Sequence, residues 1–202
     1  MNNKNFNKNE ITKLKNIEVI GLEEKDNNQL IDDLSLFKLN DIFFLNSKDI
    51  KKVINSNEYI ENYSVFKKYP STINVEVDMT EFLAQFKKNG INHLLGSNGK
   101  FIKSNILDKD IPFIFGEFDE ESFFELKSAI DKTNFDYKSI KNLFFFKSGR
   151  WDIETKYGLI IKLPKDELKT SLQTFLSFVD VKDLSETKEI DLRQHNQIII
   201  NG

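Results

Sequence analysis

The sequence predicts an α+β fold in two parts, a small N-terminal unit over residues 11–81 and a larger mixed β-sheet unit over residues 82–202. Three observations carry this reading. The first half spells one strand, two helices and two strands in that order. The second half spells mostly short strands, with two helical stripes and a strand at the C-terminal edge. No Pro/Gly/Ser-rich linker lies between them, and "TINVEVDM" runs straight into "TEFLAQF", so the boundary is a bend near residue 81.

"ITKLKNIEVIGL" alternates Leu14, Ile17 and Val19 with polar residues and reads as a strand ending at Gly21. "NNQLIDDLSLF" places Leu30, Ile31 and Leu34 on one helical face. In "SKDIKKVINSNEYI", Ser47 is the expected N-cap, Asp49 favours the first turn, and Ile50, Val53 and Ile54 face inward. "NYSVFKKYP" and "TINVEVDM" are strands. In the second, Ile73, Val75, Val77 and Met79 alternate with polar residues, the mark of a half-buried strand.

Further on, "HLLGSNGKFIKS" holds Asn98-Gly99, a strong hairpin signal because both residue types tolerate positive φ. "DEESFFELKSAIDKT" is a helix with an acidic first turn and Phe123, Leu126 and Ile130 inward. "NLFFFKSGRWDIETKYGLIIKLP" gives three strands broken at Ser148-Gly149 and Tyr157-Gly158. "KDELKTSLQTFLSFV" is a helix with Leu168, Leu172, Phe175, Leu176 and Val179 as its stripe. "KEIDLRQHNQIIING" is the last strand.

Composition limits the function classes. A chain of 202 residues buries roughly 70% of its unfolded surface and needs no disulfide or metal to hold a core. It contains no cysteine, which excludes disulfides, thiol catalysis and zinc–thiolate sites. A formal net charge of −3 provides no basic footprint for nucleic acid. The 19 phenylalanines suit a sheet-rich core. Residues 1–10 are polar, lack the apolar core of a signal peptide and are expected to be disordered. No stretch approaches the roughly 18 to 20 apolar residues of a membrane helix, so the chain as written reads as soluble.

Catalysis finds no support. Glu117, Asp119, Glu120 and Glu121 resemble paired carboxylates, but three of the four open a predicted helix, where acidic residues stabilise the dipole. His93 and His195 lack ligand spacing and are expected at the surface. Gly96, Gly99 and Gly158 serve turns. No catalytic residue, metal or cofactor is expected. Trp151 is expected in the core with its N–H on a backbone partner, and Arg150 in an ion pair or in solvent. Ile198, Ile199 and Ile200 break the alternation of a free edge strand. By themselves they fit either a harmless exposed isoleucine or a covered edge.

Together these pieces resemble the FtsQ/DivIB family of bacterial cell-division proteins. "IEVIGL" and "YSVFKKYPSTINVEVDMTEFLAQF" bracket a unit similar to the family's POTRA domain, with Tyr69-Pro70 as its aromatic–Pro turn. In the junction that follows, Asp78 stands where Glu is usual and the Pro is missing. "LLGSNGKFIKSN", "IPFIFGE", "GRWDIETKYGLIIKLP" and "EIDLRQHNQIII" resemble successive motifs of the family's β domain, in order from Leu14 to Ile200.

The resemblance implies a non-enzymatic divisome scaffold on the periplasmic face of the inner membrane at the septum. Its C-terminal strand would receive a strand from FtsB/FtsL-like periplasmic proteins, and its POTRA surface would dock other divisome components. The partner-binding residues it implies are Arg193, Gln194, Asn196, Gln197, Ile198, Ile199, Ile200 and Arg150, the arginines pairing with acidic residues of the partner. Family members are bitopic, and no anchor helix stands in this sequence. A fragment, a start placed downstream and a relative without the anchor all fit. The second reading is a POTRA-bearing accessory of outer-membrane protein assembly or two-partner secretion.

Overall fold

The computed structural model describes residues 11–105, 107–179, 181, 186–194 and 197–201. The first ten residues, expected to be disordered, therefore lie outside the description, as do His195 and Asn196. The chain is α+β and divides into two compact units, Met1–Glu81 with Gly96–Ile102, and Phe82–Leu95 with Lys103–Gly202.

The first unit contains β1 (Asn16–Ile20), α1 (Glu24–Leu34), α2 (Ser47–Ser56), β2 (Ile60–Lys68) and β3 (Thr72–Met79). The sheet order is β1-β3-β2, with β1 parallel and β2 antiparallel to β3. β3 takes the centre because Ile73, Val75 and Val77 alternate inward and are buried. Val75 stands opposite both Val19 and Val65. Leu30 and Leu34 of α1 and Ile50 and Ile54 of α2 cover that face. Each such side chain stabilises the unit by about 1.5–3 kcal/mol relative to exposure.

Two local expectations change. The N-cap of α2 is Asn46, whose side chain accepts from the Lys48 N–H, and Ser47 is already helical. Met79 is exposed, because the strand ends there and nothing covers the final position of the alternation. Residues 96–102 pack within this unit through a polar network. The Asn98 side chain donates to the Glu58 and Ile60 carbonyls, both at 3.0 Å, and Lys100 Nζ donates to the Asn55 and Asn57 carbonyls, both at 2.9 Å. Thr80 and Ser97 hydroxyls both donate to Glu61, at 3.0 and 2.9 Å. Gly96 is fixed by close approach more than by turn geometry, since a Cβ there would lie 2.7 Å from the Thr80 hydroxyl.

The other strands are β4 (Phe82–Lys88), β5 (Ile91–Gly96), β6 (Phe101–Lys103), β7 (Phe113–Phe115), β8 (Ile140–Phe145), β9 (Trp151–Thr155), β10 (Ile160–Lys162), β11 (Glu189–Asp191) and β12 (Ile199–Asn201). Two helices, α3 (Glu120–Asp131) and α4 (Leu168–Val179), belong to the second unit. Among the described residues the sheet order is β12-β11-β10-β9-β8-β7-β4-β5-β6. The clearest two-residue turn is Asn89-Gly90, both with positive φ, a signal the motif reading passed over. At Asn98-Gly99 only the glycine has positive φ. "IPFIF" supplies β7, which the sequence pattern alone did not identify as a strand.

One row of side chains defines the buried face. Ile114, Leu143, Ile153, Ile161 and Ile190 stand opposite one another across five strands, all at most 2% exposed. Trp151 joins them as expected. It is 1% exposed, and its Nε1 donates to the Ser122 carbonyl of α3 at 3.2 Å. Phe123, Leu126 and Ile130 of α3 and Leu172 and Phe175 of α4 are buried, whereas Val179 ends the α4 stripe exposed. His93 is buried, not at the surface, because its ring stacks on Phe86 and its Nδ1 lies 3.0 Å from the Ile91 carbonyl.

Candidate functional site

The C-terminal segment is not one strand. β11 and β12 form an antiparallel pair, with Ile190 opposite Ile200 and Asp191 opposite Ile199. The cause of the break is local. Asp191 Oδ1 accepts the Arg193 N–H at 3.0 Å, an Asx turn that bends the chain two residues later. Arg193 and Gln194 thus stand on the connection between the strands, and β12 alone forms this edge of the sheet.

The edge has a readable polarity. The Ile160 N–H donates to the Lys188 carbonyl and the Leu192 N–H to the Lys162 carbonyl. Ile190 and Leu192 therefore turn their backbone groups toward β10, as does the Lys188 carbonyl, whereas the Lys188 N–H donates to the Asn201 carbonyl at 3.1 Å. Glu189 and Asp191 turn theirs toward Asn201 and Ile199, with which they are in register. The backbone of Ile200 consequently points away from the sheet. Its side chain continues the buried aliphatic row, yet it is 43% exposed because among the described residues no strand lies beyond it. Ile199 points to the opposite face and is 39% exposed.

Next to this edge opens a cleft of about 780 Å³. Its walls include Arg150, Arg193, Gln194, Gln197 and Ile198, with Thr170 and Thr174 of α4 opposite. The fold thus gathers residues separated by more than forty positions. Asn196 lies outside the described residues. The α4 hydroxyls carry no motif of their own, and sequence reasoning missed them.

Both arginines already hold intrachain partners. Arg193 grips Asp191 through Nε at 2.8 and 2.9 Å and through Nη2, and the side chain stays 40% exposed. Arg150 Nε meets Asp152 Oδ1 at 3.1 Å, with the guanidinium 4.2 Å from the Phe146 ring centre. These partners belong to a cross-strand charge row, Asp152 opposite Lys162 and Lys162 opposite Asp191. Lys162 also pairs with Glu189 at 2.6 Å. The row was legible as acidic and basic residues at strand spacing, but only the register shows that they meet. Among the described residues no group of three or more His, Cys, Asp and Glu is placed to hold a metal. Asp119 accepts the Ser122 N–H at 2.8 Å, and Glu120 and Glu121 follow in the first turn of α3, as dipole and capping require.

The row titrates in two directions. The hydrogen bond from Arg193 holds the Asp191 carboxyl below its ordinary value of 3.8. Lys162, and then Asn201, lower Glu189 in the same way. Burial pushes Asp152 up, and Arg150, Lys162 and Arg193 offset only part of that. Asp191 therefore contributes stability that is complete above its unfolded pKa and lost as pH falls through its lower folded pKa. Ionised Asp152 has the opposite sign, its cost relieved as pH falls through its raised folded pKa. Urea denaturation of Asp191→Asn is expected to show a deficit at neutral pH that shrinks below pH 3.8. Parallel loss in variant and wild type would remove the Arg193–Asp191 pair from the stability account.

Comparison with known proteins gives a consistent result. Residues 12–78 match the family model described as POTRA domain, FtsQ-type, and residues 84–193 match the model described as Cell division protein FtsQ/DivIB, C-terminal. A Cell division protein FtsQ of Rickettsia bellii is 25% identical over 191 residues, covering 93% of this chain and 72% of the relative. The Rickettsia prowazekii protein of the same name is 23% identical over 193 residues, with the same coverage. The Bradyrhizobium diazoefficiens protein of that name is 21% identical over 167 residues, covering 79% and 48%. A solved major extracytoplasmic domain of the cell division protein DivIB from Geobacillus stearothermophilus is 11% identical, with a TM-score of 0.39, covering 50% of this chain and 92% of that one.

Proposed function

Because the chain belongs to the FtsQ/DivIB family of bacterial cell-division proteins, we propose that it is a non-enzymatic scaffold that recruits FtsB/FtsL-like division proteins by receiving a strand on β12. The observation that carries this is Ile200, with an outward-facing backbone and an exposed side chain at the open end of a buried aliphatic row. An added strand would satisfy the edge backbone and extend that row. Backbone bonds would supply affinity and alternate side chains selectivity. Arg193 and Arg150, held in place by Asp191 and Asp152, would meet acidic residues of the incoming segment with little loss of side-chain freedom.

In this reading residues 11–81 are the POTRA domain, a second docking surface for divisome components, and residues 82–202 the partner-binding β domain. The protein works on the periplasmic face of the inner membrane at the septum. Among the described residues no helix is long and apolar enough to cross a membrane. The match over residues 84–193 favours this reading over an outer-membrane assembly role.

The test is calorimetric titration with the periplasmic segment of an FtsB-like protein. Micromolar or tighter binding is expected, lost when residues 199–201 are deleted. Unchanged affinity in a folded deletion variant would refute strand addition at this edge.

A further inference from the structure

The first unit displays an apolar tip that the partner-binding reading does not use. Phe43 and Phe44 close the turn that starts at Asp41, where the Phe44 N–H donates to the Asp41 carbonyl at 3.0 Å. They are 57% and 86% exposed, and Phe43 stacks on the exposed Tyr69 at 4.7 Å. Leu39, at positive φ, is 73% exposed beside them in sequence. This is no loose loop. Ile42 between them is fully buried, the Ile42 N–H donates to the Thr12 carbonyl at 2.8 Å, and the Leu14 N–H donates to the Asn40 carbonyl at 2.9 Å. Asp41 is tied down by the Thr12 hydroxyl at 2.7 Å and the Phe43 N–H at 2.9 Å. A sequence that anchors its turn this firmly while holding two phenylalanines outward is presenting them.

The charge around the tip narrows the occupant. Three backbone stretches meet here: residues 12–15, 39–45 and 67–71. They are joined by the bonds above, by the Lys15 N–H on the Ser71 carbonyl at 2.8 Å, and by Lys67 Nζ on the Leu45 carbonyl at 3.3 Å. They carry Lys13, Lys15, Lys67 and Lys68 against Asp41, in a chain whose net charge is −3; Glu18 meets Lys68 at 3.5 Å, an exposed pair that leaves the border net positive. Lys38 directly precedes the turn segment, and Lys48 and Asp49, the charges that follow residue 45, cancel. The tip is a pair of exposed rings held on a hydrogen-bonded turn. It suits a soft apolar layer bordered by negative charge, into which rings enter while lysines stay in the headgroups.

We infer that the Asp41–Phe44 turn, with Tyr69 and its lysine border, is a docking surface for anionic lipid bilayers. The inference rests on the first unit alone and stands whether or not β12 receives a strand.

The experiment uses the full chain with vesicles of phosphatidylcholine, alone and mixed with phosphatidylglycerol. Co-sedimentation is expected with the mixed vesicles, weaker with phosphatidylcholine alone, and weaker as salt is raised. Phe43→Ser with Phe44→Ser should reduce partitioning about tenfold or more, with the circular dichroism spectrum unchanged because both rings are exposed. Phe44→Trp should show a blue-shifted emission on vesicle binding, against a constant signal from Trp151, which is buried already. Absence of wild-type binding would overturn the inference. So would binding that survives the double serine variant, which would assign it to the lysines alone. A wild-type dimer in light scattering that the serine variant dissolves would assign the tip to a second copy of the chain and overturn it as well.

Discussion

Ile200→Pro is expected to weaken binding of an FtsB-like segment by at least about tenfold, equivalent to about 1.4 kcal/mol, while the chain stays folded. The Ile200 N–H faces outward, so proline there removes a donor the fold does not use and places its ring where an added strand must lie. Ile199→Pro should behave differently. Its backbone faces Asp191 across the β11–β12 ladder, so proline there breaks the native pair and loosens the edge before any partner arrives. Gln197 shares that parity, and its N–H already donates to the Gln194 carbonyl at 3.2 Å. The informative comparison is therefore 200 against 199. Ile200→Ala should cost only a few-fold, since it keeps the backbone and loses one side chain of the row. Calorimetry measures the affinities, and hydrogen exchange at Asp191 reports whether the native ladder survives. Wild-type affinity in Ile200→Pro would mean that no strand is added at β12.

Trp151→Ala is expected to destabilise the second unit by about 3–5 kcal/mol, the range for removing a large aromatic from a packed core. The ring lies 4.7 Å from Phe145 and 6.0 Å from Phe118, and its Nε1 fastens β9 to the Ser122 carbonyl of α3. Natural domains are stable by only about 5–15 kcal/mol, so a large share of the molecule is expected to unfold at modest temperature. Trp151→Phe should cost less, because it fills most of the space and forfeits one hydrogen bond. Urea denaturation followed by far-ultraviolet circular dichroism measures both, since the substitution removes the fluorophore. A cost under about 1 kcal/mol for alanine would show that neighbouring phenylalanines collapse into the void.

Trp151 and Arg150 also show how far neighbouring residues diverge in role. The indole is core and the arginine reaches the cleft wall, because successive strand residues face opposite sides. Sequence spacing announced that alternation. It did not announce Asp152 as the partner of Arg150, nor Lys162 opposite Asp152, since those depend on which strands are neighbours.

The same division runs through the whole chain. Period-two alternation in "TINVEVDM", the apolar stripes of α1 to α4, and the breaks at Gly149 and Gly158 were determined by sequence alone, because each rests on contacts or φ preferences within a few residues. So was the family, through the order of its motifs. The end of β11 was decided by the Asp191 side chain capturing the Arg193 N–H, where apolar patterning had continued the strand to the terminus. β7 was too short for a periodic signal and became a strand only between β4 and β8. The outward parity of Ile200 and the cleft joining Arg150 to Arg193 belong to the tertiary structure alone. The physical reason is that a strand's own sequence sets which side chains share a face. Which backbone edge remains unpaired is set by the neighbour it gains, and for β12 that neighbour is β11 on one side only.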